Sequence, residues 1–350
     1  MSYQRPSEVP ESPDVTTHYR ARFAGFPDAC RLSDGDILVV FREDSIHTIS
    51  ETGKVVCVRS KDGGKTWGEP VMICDHPGRD DRDPGILQTS DGTIWVGLQS
   101  QRYRDYQSYL IRSLDSGHTW EEPILISDPE YFPVWPEVEM SNGEVLWIGS
   151  TAPAVVLPNG ELRWVAGTYG CKRCTFILRE AGEGFQMESF VHPNLGPADE
   201  WTVVETTPGT LVAILRQQPA EYYYQSKSTD YGRTWAPAWP TSVWQTSVYS
   251  RPKLCKINDK TLILAYAERA RHRIVAVPSF DGGQTWRTDR IVTILDNEDY
   301  CSTEDYDFGY SVCVKVGSER YLFIYYAHPG HHSPHKGIFG NFVETTRFQP

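Results

Sequence analysis

No stretch of this chain approaches eighteen consecutive apolar residues, so nothing in it reads as a membrane-spanning helix. The start, Met1-Ser2-Tyr3-Gln4-Arg5-Pro6, carries no apolar signal region, and a cytoplasmic location without a membrane partner is the expectation. Basic charge is also short: 34 Lys and Arg face 46 Asp and Glu, a formal net charge of -12. A chain this acidic has no field to neutralise a phosphate backbone, which argues against nucleic acid as a partner. Amphipathic stretches of helical period are missing too, which leaves strands to build the fold.

Metal-ligand patterns are equally scarce. Of the eight cysteines, Cys30, Cys57, Cys255 and Cys313 sit in apolar, strand-like runs where a free thiol packs as a small hydrophobe. Cys171 and Cys174 make one C-x-x-C, half of a structural zinc site, with no second pair at the required spacing. The expectation is free thiols, no metal and no cofactor. The run from His328 to His335 reads as a solvated loop, and the charge-dense stretch from Asp75 to Asp83 as an exposed connection.

What is present is a repeat. Four segments match S-x-D-x-G-x-T-W: Ser60 to Trp67, Ser113 to Trp120, Ser228 to Trp235 and Ser279 to Trp286. Their starts lie 53, 115 and 51 residues apart. The doubled middle gap predicts one degenerate copy, and Leu178 to Phe185 fits it. The motif describes a tight turn: the aspartate accepts backbone N–H groups, the glycine takes a positive φ, and the tryptophan plugs the space between neighbouring sheets.

Turn signals followed by apolar runs recur at Asp34-Gly35, Asp91-Gly92, Asn142-Gly143, Pro208-Gly209, Asp259-Lys260 and Val316-Gly317, 51 to 66 residues apart. Runs such as Ile37-Leu38-Val39-Val40-Phe41 and Leu262-Ile263-Leu264-Ala265-Tyr266 are strands in character. Length alone would suggest two or more domains, but repeats of this size predict an all-β, six-bladed β-propeller over 1–350, with blades roughly over 20–75, 80–128, 131–190, 196–243, 246–296 and 304–347.

In each hairpin the residue about nine before the turn meets the one about seven after it, at the end remote from the turn. Those ends should converge on one face near the propeller axis, opposite the Asp boxes. The rule pairs Glu200 with Arg216, Arg251 with the Glu268 to Arg271 segment, and Phe26, Pro27 and Asp28 with Arg42 to His47. It also pairs Arg82 and Asp83 with Gln99, Trp135 and Glu137 with Ser150, and Tyr310 with Tyr325. Arg42, Arg82, Arg216, Arg251 and Arg271 thus gather on one face of an acidic protein. Guanidinium forks suit a planar carboxylate. Pairing with Glu200, Asp83, Glu137 and Glu268 is the plainer explanation of the same clustering. Tyr310 with Glu200 is the chemically sharper pair, because a carboxylate in reach can take the phenolic proton.

Asp boxes on a propeller resemble the sialidase superfamily, and the resemblance covers nearly the whole chain. Glu200 to Glu205 is similar to the family segment carrying the nucleophile's glutamate partner, and Leu211 to Arg216 to the strand ending in a triad arginine. Arg271, eight residues before Ser279, corresponds to a second triad arginine, and Gly309-Tyr310-Ser311 to the segment bearing the nucleophilic tyrosine. The resemblance implies that Tyr310 attacks the anomeric carbon, Glu200 activates it, and Arg216 and Arg271 hold a carboxylate. Two positions depart from the pattern. The family's R-I-P arginine is missing from Gly25-Phe26-Pro27-Asp28, with Arg22, Arg42 or Arg251 as replacements. Where the acid/base aspartate would stand are His47 and Thr48, so proton donation falls to His47 or to nearby Asp44.

The substrate implied is a terminal acidic sugar, sialic acid or a related sugar acid, cleaved by a retaining exo-glycosidase; a tyrosine nucleophile suits an anionic sugar that would repel a carboxylate. Two other functions remain open, a uronate-directed polysaccharide lyase or different hydrolase, and a non-catalytic glycan-binding propeller. Oligomeric state is not readable from these features.

Overall fold

The computed structural model describes residues 15–21, 23–102, 105–127, 131–151, 154–156, 162–164, 174–181, 184–190, 198–217, 220–245, 250–296, 307–328 and 336–350. The architecture is all-β and propeller-like, with six four-stranded antiparallel sheets and a small two-stranded hairpin, Ala154–Val156 with Leu162–Trp164. The first sheet is Phe23–Arg31, Ile37–Asp44, Lys54–Ser60 and Val71–Cys74; the second is Asp80–Gln88, Ile94–Arg102, Asp105–Ser113 and Ile124–Ser127. The third is Tyr131–Glu139, Val145–Thr151, Cys174–Ala181 and Gly184–Phe190; the fourth is Ala198–Thr207, Thr210–Gln217, Tyr222–Ser228 and Trp239–Trp244. The fifth is Lys253–Lys256, Leu262–Glu268, Arg273–Ser279 and Val292–Asp296.

The sixth sheet holds Gly309–Val316, Arg320–Ala327 and Lys336–Glu344, and its fourth strand is Val15–Ala21 from the other end of the chain. That strand pairs antiparallel with Lys336–Glu344, from Val15 opposite Asn341 to Ala21 opposite Lys336. The last blade was expected to consist of 304–347 alone. A local pattern cannot reveal that its open edge is covered by a segment some three hundred residues away, yet covering it removes a row of unpaired backbone groups.

The first strands touch one another in sequence around a closed ring, the sixth sheet's first strand returning to Phe23–Arg31. Each sheet is therefore sandwiched between two others. This is why the second strands read as unbroken apolar runs: Ile37 through Phe41 and Leu262 through Ala265 are buried on both faces. Among the described residues the apolar core divides into six clusters, one in each gap between sheets.

All six expected hairpin turns join first and second strands. The four Asp boxes join third and fourth strands in the first, second, fourth and fifth sheets. In the first, the Asp62 carboxylate accepts the amides of Lys65 and Thr66 at 3.0 and 2.9 Å and the Thr66 hydroxyl at 2.6 Å. The Thr66 hydroxyl and amide outweigh the small effect of burial and hold Asp62 down to about 2. Gly64 has φ 90, and a Cβ there would lie 2.4 Å from Leu322 of the sixth sheet. Trp67 fills that same gap. The degenerate copy is instead a tight hairpin closed at Ala181 opposite Gly184.

Register places the two rims. Ser60, Ser113, Ser228 and Ser279 pair with Ile37, Ile94, Leu211 and Leu262, at the turn end of each first hairpin. Gly25 with Arg42, Arg82 with Gln99, Ala198 with Gln217 and Gly309 with Tyr326 mark the opposite end. The carboxylates of Asp62, Asp115, Asp230 and Asp281 cap their own turns on the rim remote from Arg42, Arg216 and Tyr310.

Candidate active site

The first strands do not run straight at that opposite rim. Their ladders slip between Gly25 and Asp28, Arg82 and Gly85, Phe132 and Trp135, Ala198 and Trp201, and Gly309 and Val312. In three of these bulges a non-glycine residue takes the left-handed conformation: Phe26 at φ 57, Asp83 at φ 50 and Tyr310 at φ 50. Such residues cost about 1–3 kcal/mol each and persist only where the surroundings impose them. Here they re-aim side chains from the first, second and sixth sheets toward one another. The Phe26 and Tyr310 rings lie 5.1 Å apart, and the Arg82 guanidinium sits 5.1 Å from the Phe26 ring.

At this meeting point the Tyr310 hydroxyl donates to Glu200 Oε1 at 2.5 Å, and Arg216 Nη1 lies 2.7 Å from Glu200 Oε2. Burial and the Glu200 charge push the Tyr310 phenol well above its ordinary range, while Arg216 and Arg269 pull the other way. The phenol therefore rests protonated against a carboxylate able to accept its proton. Arg269 completes the corner: its Nε donates to the Phe308 carbonyl at 2.8 Å, Nη2 reaches the Tyr326 hydroxyl at 3.0 Å, and its guanidinium lies 6.0 Å from the Tyr310 ring.

A second polar group stands beside the first. His47 Nδ1 is 2.6 Å from Asp307 Oδ2, and its ring is packed edge-on against Phe23 and Phe26 at 5.4 and 5.2 Å. The imidazole stays 42% exposed. Asp307 also accepts from Tyr326 Oη at 2.5 Å and from Lys336 Nζ, with Arg269 Nη2 at 3.9 Å. Burial raises its pKa, but His47, Lys336 and Arg269 together hold the carboxyl well below the usual range.

Several expected site residues have other work. Arg42 is fully buried, with Nε on Asp80 at 2.7 Å, Nη1 on the Ile46 carbonyl at 2.7 Å and Nη2 on Asp44. These contacts, with a further one from Nη2 to the Thr48 carbonyl at 3.3 Å, make it a brace for the 44–50 loop. Asp44 is spent in that loop as well, accepting from Arg42, Ser50, Thr52 and the Ser45 amide. Burial opposes its ionisation, but those hydrogen bonds lower its pKa. Arg271 is 54% exposed, 3.5 Å from Glu268 and over the Trp244 ring at 4.6 Å; Arg269, two residues earlier in the same short turn, takes the place beside Tyr310.

Asp28 is buried, bonded to the Ala29 and Ile86 amides and to Lys253 Nζ at 3.2 Å. Lys253 also holds Glu137 at 3.2 Å, so the fifth sheet reaches the first and third through one ammonium group. Asp28 therefore belongs to a buried polar plug. Asp80 and Asp81, expected in an exposed loop, are fully buried.

Arg82 and Asp83 do reach the Tyr310 corner: Arg82 Nε bonds Asp83 at 3.1 Å, and the Asp83 charge helps to raise the Tyr310 pKa. Arg251 is 5% exposed and lies over Trp135 at 3.9 Å, with Nη2 3.6 Å from Glu137. Among the described residues, its Nε and Nη2 are buried without a hydrogen-bond partner. Cys30, Cys57, Cys74, Cys255 and Cys313 are free thiols. Arg22, Cys171 and His331, His332 and His335 lie outside the described residues, as does the side chain of Cys174.

Sequence reasoning missed Asp307, Arg269, Tyr326, Lys336 and Lys253. Only Asp307, three residues before Tyr310, had a local signal. The bulges were announced by Pro27 and Pro84, since proline inside a strand marks an interrupted ladder.

The family model for the BNR repeat-like domain matches residues 51–321. A sialidase of Bacteroides fragilis (strain YCH46) is 24% identical over 87% of this chain, which spans only 60% of that protein's length. Among solved structures, a Hadza microbial sialidase superposes with a TM-score of 0.71 at 17% identity, covering 94% of this chain and 67% of that one. An α-L-arabinanase of Penicillium chrysogenum does so with 0.64 at 14%, covering 97% and 100%. Likeness at such identities carries the fold alone. With the family match running from the first Asp box past the last and the recurring sheets built as that repeat requires, the chain belongs to the BNR repeat-like domain family of the sialidase superfamily.

Proposed function

We propose that this protein is a retaining exo-glycosidase acting on a terminal acidic sugar, sialic acid or a related sugar acid, at the open rim of a six-bladed propeller. The observation that carries the reading is the 2.5 Å hydrogen bond from Tyr310 to Glu200, with Arg216 on the same carboxylate. Because the free phenol is held protonated, attack and proton transfer are coupled: Tyr310 Oη bonds to the anomeric carbon as its proton passes to Glu200. The bond to the leaving oxygen breaks, and that oxygen takes a proton from His47, whose tautomer the Asp307 carboxylate sets. In the second half His47 removes a proton from water, water attacks the anomeric carbon, and Tyr310 departs with its proton back from Glu200. Arg216, Arg269 and Arg82 supply the positive field for the sugar carboxylate. Arg251, two of whose buried nitrogens make no hydrogen bond among the described residues, stands ready for an acceptor group of the substrate.

The test is Tyr310→Phe, assayed on aryl glycosides of sialic acid, Kdo and uronic acids, with arabinofuranosides alongside. Phe keeps the ring and deletes one hydrogen bond, about 1 kcal/mol of stability, while turnover should fall by at least about 10³-fold. Undiminished turnover refutes the nucleophile assignment. An unsaturated product absorbing in the ultraviolet would make the enzyme a lyase, unchanged substrate a binding module, and cleavage confined to arabinofuranosides would overturn the acidic sugar.

A further inference from the structure

A second cluster lies at the crossover between the first and second sheets, apart from the Tyr310 pocket. Cys74 ends the fourth strand of the first sheet, opposite Val55, and Asp81 lies in the first strand of the second, opposite Ser100. Between them stands His76. Cys74 Sγ is 3.3 Å from His76 Nδ1, which is 3.0 and 3.2 Å from the two Asp81 carboxylate oxygens. One donor atom from each residue lies within 4.8 Å of the others. The Tyr109 ring, 4.4 Å from the imidazole, fixes its plane, and the His76 amide donates to Asp81 at 2.7 Å.

A buried thiol, an imidazole nitrogen and a buried carboxylate, the three donor types that hold metals of the zinc type, thus converge on one point. Asp81 is 0% exposed, and His76 is its one ion-pair partner among the described residues. A fully buried carboxylate without a fixed cation is costly.

We propose that Cys74, His76 and Asp81 form a site for a divalent transition metal of the zinc type, held by one sulfur, one nitrogen and one oxygen, with a fourth position for water. Bonds of about 2.3 Å to sulfur and about 2.1 Å to nitrogen and oxygen set tetrahedral edges of roughly 3.6 and 3.4 Å. The observed 3.3 and 3.0 Å therefore need expansions of roughly 0.3 and 0.4 Å to reach that geometry. The sulfur excludes magnesium and calcium, which prefer oxygen. The ion would staple the crossover next to Asp80, which anchors Arg42 and Arg82, and it stands independently of the glycosidase reading.

The full-length protein, stripped with a chelator, is titrated near neutral pH with Zn²⁺ alone by calorimetry and with Co²⁺ by absorption. One equivalent of Zn²⁺ binds, Co²⁺ develops a thiolate charge-transfer band in the near ultraviolet, and both are lost in Cys74→Ser and weakened at least about tenfold in Asp81→Asn. A wild-type protein that takes up no stoichiometric Zn²⁺ overturns the proposal, whatever the variants do. So does uptake that persists with its charge-transfer band in Cys74→Ser, because the ion would then sit on another thiol.

Discussion

Asp307→Asn tests whether one carboxylate organises the wall behind Tyr310. The substitution keeps shape and removes charge, and the structure shows who is left behind: Lys336, whose side chain is 8% exposed, Arg269 at 11%, and His47. Breaking a buried pair by removing one partner costs about 3–5 kcal/mol. Asp307 keeps 21% of its side-chain surface in solvent, so the lower end, about 3 kcal/mol, is expected at neutral pH. The pH dependence follows from the direction of the shift. A carboxyl whose folded pKa is depressed contributes its full stability above the unfolded value of about 3.9, and loses it as the pH falls toward the folded value. Urea unfolding at pH 7 should therefore separate wild type from variant by about 3 kcal/mol, and the gap should shrink steadily below about pH 4. In the same variant His47 loses the partner that fixes its tautomer, so glycosides with poor leaving groups slow more than activated aryl ones. Equal stability at neutral pH, or an unchanged gap in acid, would refute the assignment of Asp307 as the charge hub.

Arg269→Ala should raise KM for an acidic glycoside by about 10–100-fold, the loss of one charge-assisted hydrogen bond, and leave a neutral analogue nearly unaffected. Arg271→Ala should stay within about twofold, because that guanidinium is spent on Glu268 and Trp244; the reverse ranking in steady-state kinetics would restore the assignment implied by the resemblance. Lys253→Met should cost about 3–5 kcal/mol in urea unfolding, since it leaves both Asp28 and Glu137 buried without their ammonium partner.

The Asp boxes were legible in the sequence because the hydrogen bonds that close them lie within eight residues. A serine, an aspartate, a glycine and a tryptophan at fixed offsets suffice to close the turn wherever it occurs. The hairpins were legible for the same reason, and strand geometry then carried Glu200 to Arg216. Arg269 and Arg271 show where this stops. Both lie in the same three-residue turn, and the hairpin rule delivers the segment to the rim without saying which guanidinium faces inward. Packing against Phe308 and Tyr326 made that choice.

Arg42 and Asp44 illustrate the converse. At the right rim and of the right charge, they were drawn into holding a loop, a role visible only once Asp80 is known to stand beside them. Asp307, Lys336 and Lys253 carried no motif, because each acquires its meaning from a partner 29 to 260 residues away. The all-β class, the repeat and the turn chemistry thus follow from the sequence, since local periodicity dictates them, while the Tyr310–Glu200 pair, 110 residues apart, was suggested by the family resemblance. The closing strand Val15–Ala21, the inward arginine, the charge hub and the buried plug were decided by the tertiary structure, because buried charges choose partners by the three-dimensional distance that determines their energy.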